Sequence, residues 1–580
     1  MPVIEVDKDR LNSLLHHQVN DDELWELLFR FGMELDDVSE QSYRIEITPD
    51  RPDMLSLYGL SRALNSYMGS NNKVYSVSGP SGWTVIVDRS VKPVRPFIGS
   101  FIVKGIKLDE DRLKEIIRVQ EKLHSTLCRN REVAAIGIYP YSEITPPITY
   151  RAEPPKEIRF VPLGDTEERT GDEILSVHPT GIEYAHLLEG VDRFPVLRDA
   201  KGRVLSMPPI INSETSGRVT VDTREFFVEV TGTRKVIVNY VLNILATMFI
   251  DMGGEVYSVD VLYEGSSDQG KWTTPDLSYR ELTVDVDYIN RILGSNLSVD
   301  EVRGSLIRMG YLIVSTEPER ITVGIPPYRT DVLHVIDVVD DVGRAISYDR
   351  LTPTLKPVFT IGGIFEDEKV VDRVREVLIG LSYVEVFTLG LTSEYEQFQL
   401  MNLDKDRTER TDKGVWYDGI LGYVKVNKAK ARDVDMLRYW LFPELLKSLR
   451  VNRERPYPIK MFEVSDVVRL RSSENQDDPR APEPPYVNHK HLCVVLSDNS
   501  VTYTDIKQVL DRVFESLGYK VETQPYDHPS FIPGRCAEVV LNGKGMGIIG
   551  EVHPKVISGF DLTAPVVGFE VDLTDVLGSV

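Results

Sequence analysis

The chain has 580 residues, 42% of them hydrophobic, and its 67 basic against 90 acidic side chains leave a net charge of -23. That much apolar material supports roughly four domain-sized cores and excludes one compact domain, while the acidic balance repels phosphate backbones and excludes a general nucleic-acid coat. No stretch approaches the roughly 20 unbroken apolar residues of a membrane span, the opening Met-Pro-Val-Ile-Glu-Val-Asp carries no signal pattern, and Cys128, Cys493 and Cys536 are too scattered for a disulfide framework or zinc cluster, so a cytoplasmic protein with reduced, structural thiols is expected.

Residues 1–88 read as mixed helix and strand. There the turn Thr48-Pro49-Asp50-Arg51-Pro52-Asp53 leads into apolar residues at helical spacing over 54–68. The turn-rich passage 76–83 marks a boundary.

A second unit spans 92–270, with an amphipathic helix at 112–127, a strand at 133–139 and a turn-and-strand run at 204–234. In that run Pro208 and Pro209 hold Ser206 and Asn212 on stiff backbone, and Glu229 and Thr231 share one strand face by the two-residue period. Together with Leu197 they either line a polar pocket or are ordinary strand and turn residues. The region has no Ser/His/Asp pattern, so any hydrolysis here would use a positioned water.

The third unit, 275–352, opens on a strand at 281–286 and contains Pro326-Pro327-Tyr328-Arg329-Thr330-Asp331. The double proline bars helix before it, and Thr330 is placed to cap a helix starting at Asp331. Along that helix Asp337 meets Asp340 and Asp341 at i+3 and i+4. Either a hard cation, magnesium, sits among these carboxylates, or Asp331 complements the helix dipole and the others face solvent.

The last unit, 358–580, alternates helices at 366–381 and 505–517 with strands at 384–390, 491–496, 545–552 and 566–571. A helix at 435–446, a basic loop at 452–455 and a strand at 461–464 partly match a nucleotide-binding loop, although no P-loop or Rossmann glycine pattern occurs. The basic segments 425–432 and 450–460 are either RNA contacts or solvated faces, and 471–486 reads as an exposed polar loop.

Seven segments in one order then carry a resemblance over essentially the whole chain: TPDRPDMLSLYGLSRAL (48–64), QEKLHSTLCRNREVAAIGIY (120–139), VLSMPPIIN (204–212), VEVTGT (228–233), IPPYRTDVLHVIDVVDDV (325–342), KMFEVSDVV (460–468) and FIPGRCAEV (531–539). The chain resembles the phenylalanine tRNA ligase beta-subunit family of archaeal and eukaryotic cytosolic type. The resemblance implies an α+β multidomain fold: an N-terminal α/β domain at 1–88, a mixed α/β editing domain at 92–270, and a small α/β domain at 275–352. A class II synthetase-like antiparallel sheet module at 358–580 would dock the alpha subunit, and the smaller modules would be winged-helix-like or DNA-binding-like without DNA as a partner.

The same resemblance implies an alpha2-beta2 tetramer that attaches phenylalanine to tRNA(Phe) with ATP consumed in alpha. Asp331, Asp337, Asp340 and Asp341 match the family's Mg2+ ligands, a site shared with alpha. Ser206, Glu229 and Thr231, with Leu197 and Asn212 binding substrate, match positions of a pocket that hydrolyses tyrosine from mischarged tRNA. A scaffold subunit with an inert pocket is the competing reading.

Overall fold

A computed structural model describes residues 2–70, 72–264, 270–355, 358–403, 423–426, 434–470 and 486–577. The basic segment 425–432 beyond Val426, and the expected loop 471–486 up to its last residue, lie outside the described residues. The chain forms two compact units, Met1–Leu355 and Lys356–Val580. Sheets and helices are mixed throughout.

In the first unit, strand Val3–Asp7 pairs with Ser42–Glu46, which pairs with Glu34–Val38. Helix Asp21–Arg30 begins at a capping box in which Asn20 and Glu23 satisfy each other's amides. The helix expected over 54–68 is broken. A 3-10 turn at Pro52–Leu55 precedes helix Leu57–Tyr67, because Ser56 is extended and its hydroxyl caps the Gly59 N–H. The break lets Arg51 fold back on Asp53 at 2.9 Å.

The large sheet determines where chemistry can sit. Its strands run Ile211–Asn212, Val204–Met207, Phe194–Arg198, Ile148–Glu153, Gly79–Val87, Glu255–Tyr263, Phe97–Lys104, Phe226–Gly232 and Ala134–Pro140, with Lys271–Thr274 beside Glu255–Tyr263. Phe226–Gly232 is buried along its whole length. Phe226, Val228 and Val230 pack into the same core as helix Lys235–Asp251, whose Val238 and the run from Val241 to Phe249 are buried. By the two-residue period Phe227, Glu229 and Thr231 face the other way. The sheet curls until its two ends meet, since the Tyr139 hydroxyl on the last strand lies 3.3 Å from the Asn212 side-chain amide on the first.

A three-stranded sheet, Arg280–Asp285, Arg320–Ile325 and Leu312–Thr316, carries helices Val286–Leu293, Val299–Arg308 and Val335–Ile346. Its core is continuous with those of the two preceding modules, which explains why the three expected domains form a single compact body. The helix expected from Asp331 starts four residues later. His334 is its N-cap and Asp337 completes the box, while Asp331 is drawn instead to Arg329.

The second unit is a seven-stranded sheet, antiparallel except for the short edge strand Val384–Glu385. Helices Glu366–Gly380 and Tyr503–Ser516 cover one face and Phe442–Asn452 the other. The strand expected over 384–390 stops early, leaving Phe387 and Leu389 exposed. The helix expected over 435–446 begins only at Phe442, because Met436–Leu437 pairs as strand with Leu391–Thr392 and Pro443 suits a first turn. The Glu570 carboxylate accepts the Leu441 and Phe442 amides at that turn and the His491 ring N–H at 2.6 Å. All three cysteines are buried and free. Among the described residues no helix is long and apolar enough to cross a membrane.

Candidate active site

Where the curled sheet meets itself, a cavity of about 470 Å³ opens between helix Glu110–Ser125, strand Ala134–Pro140 and the proline turn after Met207. Ser206, Asn212 and Glu229 line it, as do His124 and Arg131. Leu197 lies instead in the apolar core beneath, with Tyr139 and Phe227. Thr231 shares the Glu229 face but is fully buried, its hydroxyl accepting from Arg95 Nε at 3.1 Å. Of the five positions expected around a pocket, the structure therefore brings three to the cavity wall.

Glu229 is 2% exposed. Its Oε1 accepts from the Tyr139 hydroxyl at 3.0 Å, and its Oε2 has no partner. Burial pushes the carboxyl up to about 8, against the Tyr139 hydrogen bond and the Arg95 charge, which both favour ionisation. Burial and the Glu229 charge hold the Tyr139 phenol well above its usual range, and the Ser206 hydroxyl beside it makes no hydrogen bond of normal geometry. Two polar atoms thus stand at the wall without a protein partner.

Three residues that the sequence did not point to complete the arrangement. Tyr139 joins Glu229 to Asn212. Gly137 lies opposite Glu229 in register, and a Cβ there would fall 2.4 Å from Glu229 Oε1 and 2.4 Å from the Tyr139 hydroxyl. A glycine isolated inside an apolar strand is the signal that marks such a close approach. Arg95, itself buried, donates to the Thr231 hydroxyl and carbonyl and to the carbonyls of Arg131 and Glu132.

His124 is not placed as a base for Ser206. Its Nε2 accepts the Ile136 N–H at 2.9 Å, its Nδ1 faces Glu121 at 3.5 Å, and burial lowers its pKa. The cavity suits hydrolysis by a bound water rather than a covalent route.

The four aspartates expected to hold magnesium do not converge. Asp331 and Asp341 both bind the Arg329 guanidinium, at 2.7 and 2.6 Å, and Asp341 also takes the Tyr311 hydroxyl at 2.6 Å. Asp337 caps the Leu333 and His334 amides at 2.8 and 2.7 Å, and Asp340 pairs with Arg344 at 2.8 Å and Tyr348 at 2.5 Å. Against its own burial, Asp331 is drawn down to about 2 by the Arg329 guanidinium. Among the described residues no three acidic, histidine or cysteine side chains gather at one point. On this chain alone these residues do not fit a magnesium site, because an arginine already supplies the positive charge.

Known proteins resemble this chain along nearly its whole length. Family models described as Phe-tRNA synthetase beta subunit B1 domain, tRNA synthetase B5 domain and Phenylalanyl tRNA synthetase beta chain CLM domain match residues 1–70, 282–348 and 352–573. The phenylalanine tRNA ligase beta subunit of Thermococcus gammatolerans is 38% identical over 584 residues, covering 99% of this chain and 98% of that one. That of Archaeoglobus fulgidus is 36% identical over 575 residues, with 99% and 98% covered. The crystal structure of an N-terminal fragment of the Pyrococcus horikoshii phenylalanyl-tRNA synthetase beta subunit superposes with a TM-score of 0.57 at 36% identity, covering 60% of this chain and 99% of the fragment.

Proposed function

The chain belongs to the phenylalanine tRNA ligase beta-subunit family, and from that premise we propose that its Glu229 cavity hydrolyses tyrosine wrongly esterified to phenylalanine tRNA. The observation that carries this reading is the orphaned Glu229 Oε2, buried at the cavity wall beside Ser206. An apolar site for phenylalanine rejects an added hydroxyl by only about a hundredfold, so a second, polar site has a task to perform. A tyrosine hydroxyl entering here partners a buried carboxyl oxygen that a phenylalanine ring leaves bare. Denying that oxygen a partner costs about 1–3 kcal/mol, or roughly five- to 150-fold in favour of the wrong amino acid.

Glu229 recognises the hydroxyl, Tyr139 holds the carboxyl in place, and Ser206 and Asn212 orient the ester or the attacking water. Thr231 acts on the site only through Arg95. Attachment of phenylalanine, with its ATP and magnesium, belongs to an alpha subunit in an alpha2-beta2 assembly. The second unit leaves Phe359, Phe365, Phe387 and Leu389 each 75% or more exposed, apolar side chains that a partner subunit could cover.

The test is hydrolysis of tyrosine-charged phenylalanine tRNA by the reconstituted complex, wild type against Glu229→Ala. Retained charging with lost hydrolysis supports editing in this cavity; equal hydrolysis by both moves editing elsewhere and leaves a scaffold.

A further inference from the structure

Residues 129–131 form a turn unlike any other among the described residues. Arg129, Asn130 and Arg131 have φ of 50°, 52° and 68°, three successive non-glycine residues in the left-handed region. Such strain persists only where surrounding contacts over-determine it. Here Arg95 donates to the Arg131 and Glu132 carbonyls, both at 3.2 Å, and Arg131 donates to the Ile210 carbonyl at 2.8 Å.

The contortion sends two arginines in different directions. Arg131 stacks over Tyr184 at the wall of the Glu229 cavity. Arg129 enters a second cavity, also of about 470 Å³, together with Arg234, Thr48 and Thr126. No carboxylate lines this second cavity, and Arg129 and Arg234 have no ion pair among the described residues, in a chain with 90 acidic side chains. The Thr48 hydroxyl is buried without a partner. Arg234 is also the N-cap of helix Lys235–Asp251, which has no side-chain cap and no acidic residue in its first turn. The positive end of the helix therefore adds to the field of the two guanidiniums.

We propose that this second cavity, built by Arg129 and Arg234, is a phosphate clamp for the RNA strand whose aminoacylated end occupies the Glu229 cavity. The proposal rests on the editing reading. The two cavities are lined from the two ends of one three-residue turn, Arg131 in the first and Arg129 in the second, which puts the second beside the path of a strand that ends in the first. In a protein that repels RNA at long range, a local clamp of this kind supplies the grip at the point where the ester must be held.

The experiment is the salt dependence of phenylalanine tRNA binding to the assembled complex, for wild type, Arg129→Gly and Arg234→Ala. Losing one phosphate contact makes the slope of log affinity against log salt shallower by about 0.7 to 0.9, and each variant is expected to show that change. Arg129→Gly also relieves a left-handed residue, so it is expected to melt at a higher temperature while binding RNA more weakly. A merely structural arginine would not give that combination. Unchanged slopes in both variants overturn the proposal. Because binding is read without hydrolysis, a failure of editing and a failure of the clamp are distinguishable. Inorganic phosphate at matched ionic strength separates a free anion from RNA: if it protects residues 126–131 from hydrogen exchange and tRNA does not, the site takes a free anion and the RNA clamp is wrong.

Discussion

Glu229 and Gly137 face each other on adjacent antiparallel strands, and the carboxylate takes the space where a side chain at 137 would begin. Gly137→Ala places a methyl 2.4 Å from both Glu229 Oε1 and the Tyr139 hydroxyl, so the carboxylate and phenol must leave their present positions. Overpacking of this kind costs about 1–3 kcal/mol. The expected result is a lower melting temperature together with loss of tyrosyl-tRNA hydrolysis; hydrolysis at the wild-type rate would show that the Glu229 position is not critical.

The raised Glu229 pKa makes stability depend on pH. Its ordinary value is 4.5 and its folded value about 8, so between these limits the folded state holds a proton that the unfolded state has lost. Stability contributed by this group is therefore greatest below pH 4.5 and declines by about 1.4 kcal/mol per pH unit until it levels off above 8. Glu229→Gln, which mimics the protonated acid, removes this decline. At pH 8 to 9 the variant is expected to melt above the wild type while failing to prefer tyrosine esters, as thermal scans and deacylation assays at several pH values would show.

Much of this site can be read from the chain, and the unread part has a common cause. Glu229, Ser206 and Asn212 announce themselves as polar residues on stiff or alternating backbone, where a local period suffices. Tyr139 is invisible in the same way, because it meets Asn212 only when a sheet of nine successive strands curls end to end, a relationship with no sequence spacing. Arg95 is hidden likewise, since its partners Thr231 and Arg131 are distant in the chain. The acidic helix misleads for the opposite reason. Its carboxylates have metal-like spacing, but Arg329 lies within two residues of Asp331 and reaches Asp341 as well. Helix starts shifted where tertiary contacts overrode local caps, as at Asp331 and at Phe442.

Arg329→Met tests the reading of that cluster. The substitution strands Asp331 and Asp341 as buried, unpaired carboxylates, which costs about 3–5 kcal/mol. In the assembled ligase, amides of helix Val335–Ile346 are expected to exchange faster in the variant and at the same rate with EDTA or magnesium in the wild type. Magnesium should slow exchange in the variant, where it replaces the missing guanidinium. A magnesium-dependent change at this helix in the wild type would mean that the partner subunit completes a cation site.

Tyr139→Phe separates the roles of the two groups at the cavity wall. The phenol hydrogen bond to Oε1 favours the ionised carboxyl, while burial opposes it. Removing the hydroxyl leaves burial with less opposition, so the Glu229 pKa moves above its present value of about 8. The pH at which stability stops declining moves up with it, and loss of the hydrogen bond itself costs about 1 kcal/mol. An ionised carboxylate is the stronger acceptor for a tyrosine hydroxyl. The preference for tyrosine over phenylalanine esters is thus expected to develop at higher pH in Tyr139→Phe than in the wild type, measured as the ratio of deacylation rates across pH 6 to 10. An unshifted profile with normal hydrolysis would mean that Glu229 is not the group whose ionisation the profile reports, and would transfer recognition of the hydroxyl to Ser206 or Asn212.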